Sequence, residues 1–134
     1  ALTAILQHVG DRFEAAAPTL DRYGYRCLVE RSRESVRAQV YDPAGRPVCG
    51  LALWRDTSSH HDKLAMSFAW PRLETHGMNG WISAAWDPDR QEPVADFSDF
   101  TDFATGGGSR MLSAEELFAD LWGKIVDHLD RQPR

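Results

Sequence analysis

Apolar side chains recur at helical spacing at both ends of this chain of 134 residues. The N-terminal set is Leu2, Ile5, Leu6, Val9, Phe13 and Ala16, and the C-terminal set is Leu117, Phe118, Leu121, Trp122, Ile125, Val126 and Leu129. Residues three and four apart share one face of a helix, so each set predicts an amphipathic α-helix. Ser113 and Glu116 have the spacing of a capping box before the second helix. Pro18 and Gly24 favour a short helical continuation after the first.

Between these helices the chain alternates large apolar residues with small or polar ones, which is the two-residue period of β-strands. The predicted strands are residues 25–31, 35–41, 48–54, 63–70 and 80–86. The first connections between them are short and rich in turn residues, so these neighbouring strands must be antiparallel. We expect a single α+β domain over residues 1–134, with an antiparallel sheet of about five strands. The N-terminal and C-terminal helices should pack on one face of that sheet.

The alternation predicts that one face of the sheet is large and apolar and lies under the helices. Its members are Cys27, Val29, Val36, Ala38, Val40, Cys49, Leu51, Leu53, Leu64, Met66, Phe68, Trp70, Ile82 and Trp86. Trp70, Trp86 and Trp122 are therefore expected in the core. Cys27 and Cys49 are expected as reduced, buried thiols, with a disulfide between them as the alternative.

The opposite face of the predicted sheet is small or polar. It contains Arg26, Glu30, Arg37, Gln39, Tyr41, Gly50, Ala52, Trp54, Ala65, Ser67, Ala69, Trp81, Ser83 and Ala85. Tyr41, Trp54 and Trp81 flank small side chains there, and aromatic anchors around a small-residue floor are typical of binding surfaces. Two interpretations stay open: this face docks a partner, or residues 87–103 of the same chain cover it.

Residues 87–108 combine acidic, Pro, Phe and Gly residues without a clear period, although residues 93–97 are a possible strand. Phe97, Phe100 and Phe103 repeat at intervals of three, each directly after an aspartate. Such a segment could insert its rings into a partner while the aspartates steer it toward a basic surface. Ordinary packing of a loop on its own domain is the alternative.

Charge and hydropathy narrow the classes of partner. The net charge is −5, and residues 87–130 hold eleven acidic side chains against three basic ones. A nucleic-acid binder needs a basic stripe, so we expect no nucleic-acid partner. No apolar run is long enough to span a bilayer and no signal peptide is evident, so we expect no membrane partner and a cytoplasmic location.

Potential metal ligands gather in one loop and its neighbour. His60, His61 and Asp62 are consecutive, and His76 lies in the next loop. Imidazole and carboxylate are ligands for zinc, so these four residues suggest a metal-assisted hydrolase as an alternative function. The spacings of established metal motifs are absent, and no catalytic or cofactor motif stands out.

The sequence therefore favours a non-catalytic binding module without a cofactor, such as an accessory, regulatory or immunity-type component. Its partner would be a protein or a second copy of the chain. The binding residues predicted for that role are Tyr41, Trp54, Trp81, Phe97, Phe100 and Phe103. A small-ligand sensor, with its ligand between the sheet and the helices, is a further alternative.

Overall fold

A computed structural model describes residues 2–57, 62–73, 77–100 and 109–132. The helices are α1 (Leu2–Ala16) and α2 (Ala114–Asp130), and a 3₁₀ helix (Ala17–Tyr23) follows α1. The strands are β1 (Arg26–Arg31), β2 (Ser35–Tyr41), β3 (Pro47–Asp56), β4 (Lys63–Ala69), β5 (Gly80–Asp87), β6 (Glu92–Asp99) and β7 (Ser109–Leu112). They form one antiparallel sheet in chain order. The predicted α+β architecture is confirmed, with seven described strands instead of about five.

The two additional strands lie where the hydrophobic pattern is weakest. β6 contains Pro93, Asp96 and Asp99, which are uncommon in strands and obscure the alternation. Its pairing with β5 nevertheless extends over eight residue pairs, which include the possible strand at residues 93–97. Pairing partners outside the local sequence therefore decide the conformation of this segment.

Both helices pack side by side on the large-residue face of the sheet. The ring of Phe13 on α1 meets Phe118 and Trp122 on α2 edge-to-face, with centroid distances of 5.5 and 5.6 Å. These residues join a continuous core that includes Leu51, Leu53, Met66 and Ile82 from the sheet. The opposite face of the sheet has no helix over it among the described residues.

Local signals at the helix ends act as the sequence predicts. Ser113 Oγ accepts the backbone N–H of Glu116, while the Glu116 carboxylate accepts the backbone N–H of Ser113. This reciprocal pair satisfies donors that a helix start leaves unpaired. Gly24 ends the 3₁₀ helix at a φ of +83°, a left-handed conformation that glycine adopts without a steric penalty.

Two tryptophans predicted in the core are exposed. Trp70 is 63% exposed because it lies just beyond the last residue of β4, beside the C-terminal part of α2. Along β5, Ile82 is fully buried, Ala84 is exposed and Trp86 is 61% exposed. The face assigned to Trp86 is consistent with its register, but the core ends before the strand does.

Among the described residues, no helix is both long enough and apolar enough to span a membrane.

Candidate functional site

The open face is the sheet surface opposite α1 and α2, and one row of residues crosses its centre. From β2 to β7 the row is Ser35, Trp54, Ala65, Trp81, Ser98 and Ser109. Trp54 and Trp81 therefore lie on either side of Ala65, on strands β3 and β5. Both indoles are on the side of the sheet away from the helices, as the alternation predicts.

Small buried side chains form the floor around the two indoles. Ala52, Ala65 and Ser67 are 5%, 1% and 2% exposed, whereas Trp54 and Trp81 are half-buried. The ammonium nitrogen of Lys63 lies 5.0 Å from the centroid of the Trp81 ring, which is cation–π geometry. Part of the Trp81 ring thus already contacts a neighbour on the same face.

Part of the open face is covered by the connection between β4 and β5. Gln39 Nε2 donates to the carbonyl of Pro71 at 2.9 Å, and Gln39 Oε1 accepts the N–H of Leu73 at 3.2 Å. A Cβ on Gly50 would lie only 2.6 Å from Leu73 Cγ, so glycine permits this close crossing. Within the segment 87–103 considered as a cover for this face, residues 92–99 are instead strand β6 of the sheet.

Tyr41 lies at the covered end of the open face, away from the central row. With Leu28, Arg37, Arg72 and Leu73 it lines a cavity of about 320 Å³. The structure does not bring Tyr41 next to Trp54 and Trp81, because Tyr41 pairs with Pro47 at the far end of β3.

The three phenylalanines of the predicted docking segment differ in how the structure places them. Phe97 is fully buried in the core of the sheet, so its ring is not accessible to a partner and the prediction of a docking role for it is wrong. Phe100 is 42% exposed at the end of β6. Phe103 lies outside the described residues. A repeat of three puts successive rings on opposite faces of a strand, which explains the difference.

Of the four predicted metal ligands, only Asp62 is among the described residues; His60, His61 and His76 lie outside them. The Asp62 carboxylate forms a bidentate pair with Arg55, at 2.9 and 2.6 Å. This hydrogen bonding lowers the pKa of Asp62. The described residues contain no group of three metal-ligating side chains.

Both cysteines are free thiols rather than a disulfide. Burial raises the pKa of Cys27 to about 11 and that of Cys49 to about 12. Neither side chain is therefore a thiolate near neutral pH, the form that acts as a nucleophile.

A groove of about 930 Å³ opens where β5 separates from β4; we call it the α2 groove. Regular pairing between the two strands ends at Met66 and Gly80. Asn79 bridges the opening: its N–H donates to the Met66 carbonyl at 2.6 Å, and its side-chain Oδ1 accepts the N–H of Phe68 at 2.7 Å. Its carbonyl accepts the N–H of Phe100 at 2.8 Å, which ties the opening to β6.

Ion pairs form the helix side of the α2 groove. The Lys124 ammonium lies 2.5 Å from a carboxylate oxygen of Asp99 and 4.0 Å from one of Asp120. Asp99 is only 3% exposed. Asp120 also pairs with Arg110, at 2.8 Å. Because a buried charge is costly without a partner, this network holds Asp99 and Lys124 in fixed positions.

An aromatic wall faces these ion pairs. Ring centroids of Trp70 and His128 are 5.3 Å apart, and those of Phe68 and Trp70 are 5.8 Å apart. Burial is the largest influence on His128 and lowers the pKa of its imidazole, and the charge of Arg131 acts in the same direction. The imidazole is thus kept neutral near neutral pH.

Sequence reasoning missed Asp99, Lys124 and His128. One signal was present: Ala95, Phe97 and Asp99 occupy the helix-facing side of β6, so the period places a carboxylate at a core position. A buried carboxylate requires a charged partner. Lys124 is the basic residue of α2 that a search for that partner would have identified.

The chain was compared with protein-family models, curated proteins and solved structures, and none of them matches it. The roles of the open face and of the α2 groove must therefore be inferred from their own residues.

Proposed function

We propose that this chain is a non-catalytic binding domain that associates with a second copy of itself through the open face. The observation that carries the proposal is the central row in which Trp54 and Trp81 flank Ala65. β4, the strand of Ala65, is the middle one of the seven described strands. A two-fold axis along β4 exchanges β3 with β5, so it brings Trp54 of one copy over Trp81 of the other. Aromatic anchors near the centre of an interface often carry most of its binding energy.

The size of the face is consistent with a dissociable dimer. Seven strands spaced about 4.8 Å apart, each roughly six residues long, span ~600 Å². A standard stable interface buries about 800 Å² on each partner. We therefore expect an association that depends on concentration within the micromolar to millimolar range.

Sedimentation equilibrium of the full chain, from about 10 μM to about 1 mM, tests the proposal. We expect a monomer–dimer equilibrium within this range.

Tryptophan variants test the centre of the interface. Trp54→Ala and Trp81→Ala should each weaken dimerisation by roughly 10-fold, with circular dichroism showing that the domain remains folded. Trp86→Ala removes an indole that is 61% exposed elsewhere and serves as the matched control. A wild-type chain that stays monomeric over the whole range would exclude the second copy and leave a different protein as the occupant. Unchanged dimerisation of both Trp54→Ala and Trp81→Ala would also overturn the proposed symmetry.

A further inference from the structure

The α2 groove has the dimensions of a small-molecule site. Its volume of about 930 Å³ lies within the range of ~300–1,000 Å³ that is usual for ligand pockets. Fixed elements bound it on two sides: Phe68 and Trp70 follow the edge of β4, and Lys124 and His128 lie on successive turns of α2. Asn79 connects β4 to β6 at its end. Neither Trp54 nor Trp81 lines the groove, although Ser67, which belongs to the floor of the open face, does.

One polar atom in the groove lacks the partner that its burial requires. Ser67 lines the groove and is only 2% exposed, yet its hydroxyl has no hydrogen-bond partner among the described residues. Buried hydroxyl groups are nearly always hydrogen-bonded, and leaving one unpaired costs free energy. A bound molecule that reaches Ser67 would satisfy this hydroxyl.

The charges around the groove favour a cation. Three carboxylates, Asp99, Asp120 and Asp127, line it against two cations, Lys124 and Arg131. Lys124 lies between Asp99 and Asp120, so its charge is already balanced within the groove. The neutral imidazole of His128 adds no positive charge. Asp120 also pairs with Arg110, whereas Asp127 forms no ion pair with any of the described residues. Asp127 is therefore the carboxylate of the lining that can attract a positive ligand.

The exposed aromatic rings favour a cation that also carries apolar groups. Trp70 and Phe100 line the groove and are 63% and 42% exposed. The negative faces of such rings attract ammonium groups, and their area favours contact with hydrocarbon. An inorganic cation would make no apolar contact with the area of these rings, whereas an alkyl- or aryl-ammonium ion would use both the rings and the carboxylates.

We infer that the α2 groove is a binding site for a small organic cation, with an ammonium group near Asp127 and Trp70 and an apolar body along the rings. The probe for a test is benzyltrimethylammonium, compared with the neutral benzyl alcohol and the anionic benzenesulfonate. Titrations followed by ¹H–¹⁵N correlation spectra of the full chain report both affinity and location. A probe of this size should bind with a Kd on the order of 1 mM.

The expected result is that the ammonium probe binds roughly 10-fold more tightly than benzyl alcohol. Its chemical-shift changes should include the indole N–H of Trp70 and the amides of Asn79 and Lys124. Trp70→Ala should weaken binding by roughly 10-fold, whereas Trp86→Ala, which removes an equally exposed indole outside the groove, should not. Asp127→Asn should weaken binding of the cation, and Asp130→Asn on the same helix is its matched control.

Three results would overturn the inference. If benzenesulfonate bound as tightly as the ammonium probe, the inferred preference of the groove for a cation would be refuted. Shift changes centred away from the groove would refute the site. Equal affinity of the wild type and Trp70→Ala, with both folded, would refute the role of the aromatic wall.

Discussion

The side-chain Oδ1 of Asn79 accepts the backbone N–H of Phe68 at 2.7 Å, and this bond takes the place of a sheet hydrogen bond where β5 leaves β4. A short polar side chain thus supplies the acceptor that the next strand does not provide. The opening of the α2 groove depends on this side-chain hydrogen bond, because the bond lets β5 separate from β4 without leaving the Phe68 N–H unpaired.

Replacement of Asn79 by alanine should therefore destabilise the domain. The Phe68 N–H would lose its acceptor while half-buried, at an expected cost of about 1–3 kcal/mol in the free energy of unfolding. Urea denaturation of the wild type and Asn79→Ala measures this difference. Asn79→Asp retains an acceptor oxygen and is expected to lose less stability. Equal losses of stability in the two variants would mean that the side-chain acceptor oxygen at position 79 does not stabilise this part of the sheet.

Truncation of two phenylalanines that are three residues apart should destabilise the domain to very different extents. Phe97 is fully buried, so Phe97→Ala should reduce the free energy of unfolding by about 3–5 kcal/mol. Phe100 is 42% exposed, and Phe100→Ala should cost less than about 1 kcal/mol. Thermal or urea unfolding of both variants checks the assignment. Similar stabilities of the two variants would contradict the placement of Phe97 in the core.

The start of α2 should make stability depend on acid pH. The pKa of Glu116 is lowered to about 2, first by its hydrogen bond to Arg90 and then by the backbone N–H of Ser113. A lowered pKa in the folded state means that the ionised carboxylate stabilises the fold. This stabilisation is complete above the ordinary glutamate pKa of about 4.3 and is lost as the pH falls toward 2.

Urea titrations at a series of pH values compare the wild type with Glu116→Gln. Their difference in free energy of unfolding should be constant from pH 7 to about 5 and should decrease below that. Added salt should reduce the contribution of exposed Arg90 and leave more of the hydrogen bond to Ser113. A difference that does not change between pH 5 and 2 would contradict the role of the ionised carboxylate.

Most of the secondary structure could be predicted because its causes are local. Helical spacing located both α-helices, and the capping box located the start of α2 at Ser113. β6 was harder, because Pro93 and two aspartates interrupt its alternation, and its pairing with β5 is a long-range interaction. The predicted docking role of Phe97 failed for the same reason, since a spacing of three in an assumed loop became an inward position in a strand.

The sequence by itself determined that Trp54 and Trp81 lie on the sheet face away from the helices, because side-chain direction in a strand follows from backbone geometry alone. Only the tertiary structure decided that Trp70 and Trp86 are exposed, since burial depends on what lies over a residue and not on its direction. The tertiary structure also decided that the α2 groove exists and which residues line it. Asp99 and Lys124 meet there only because β6 and α2, far apart along the chain, pack against each other.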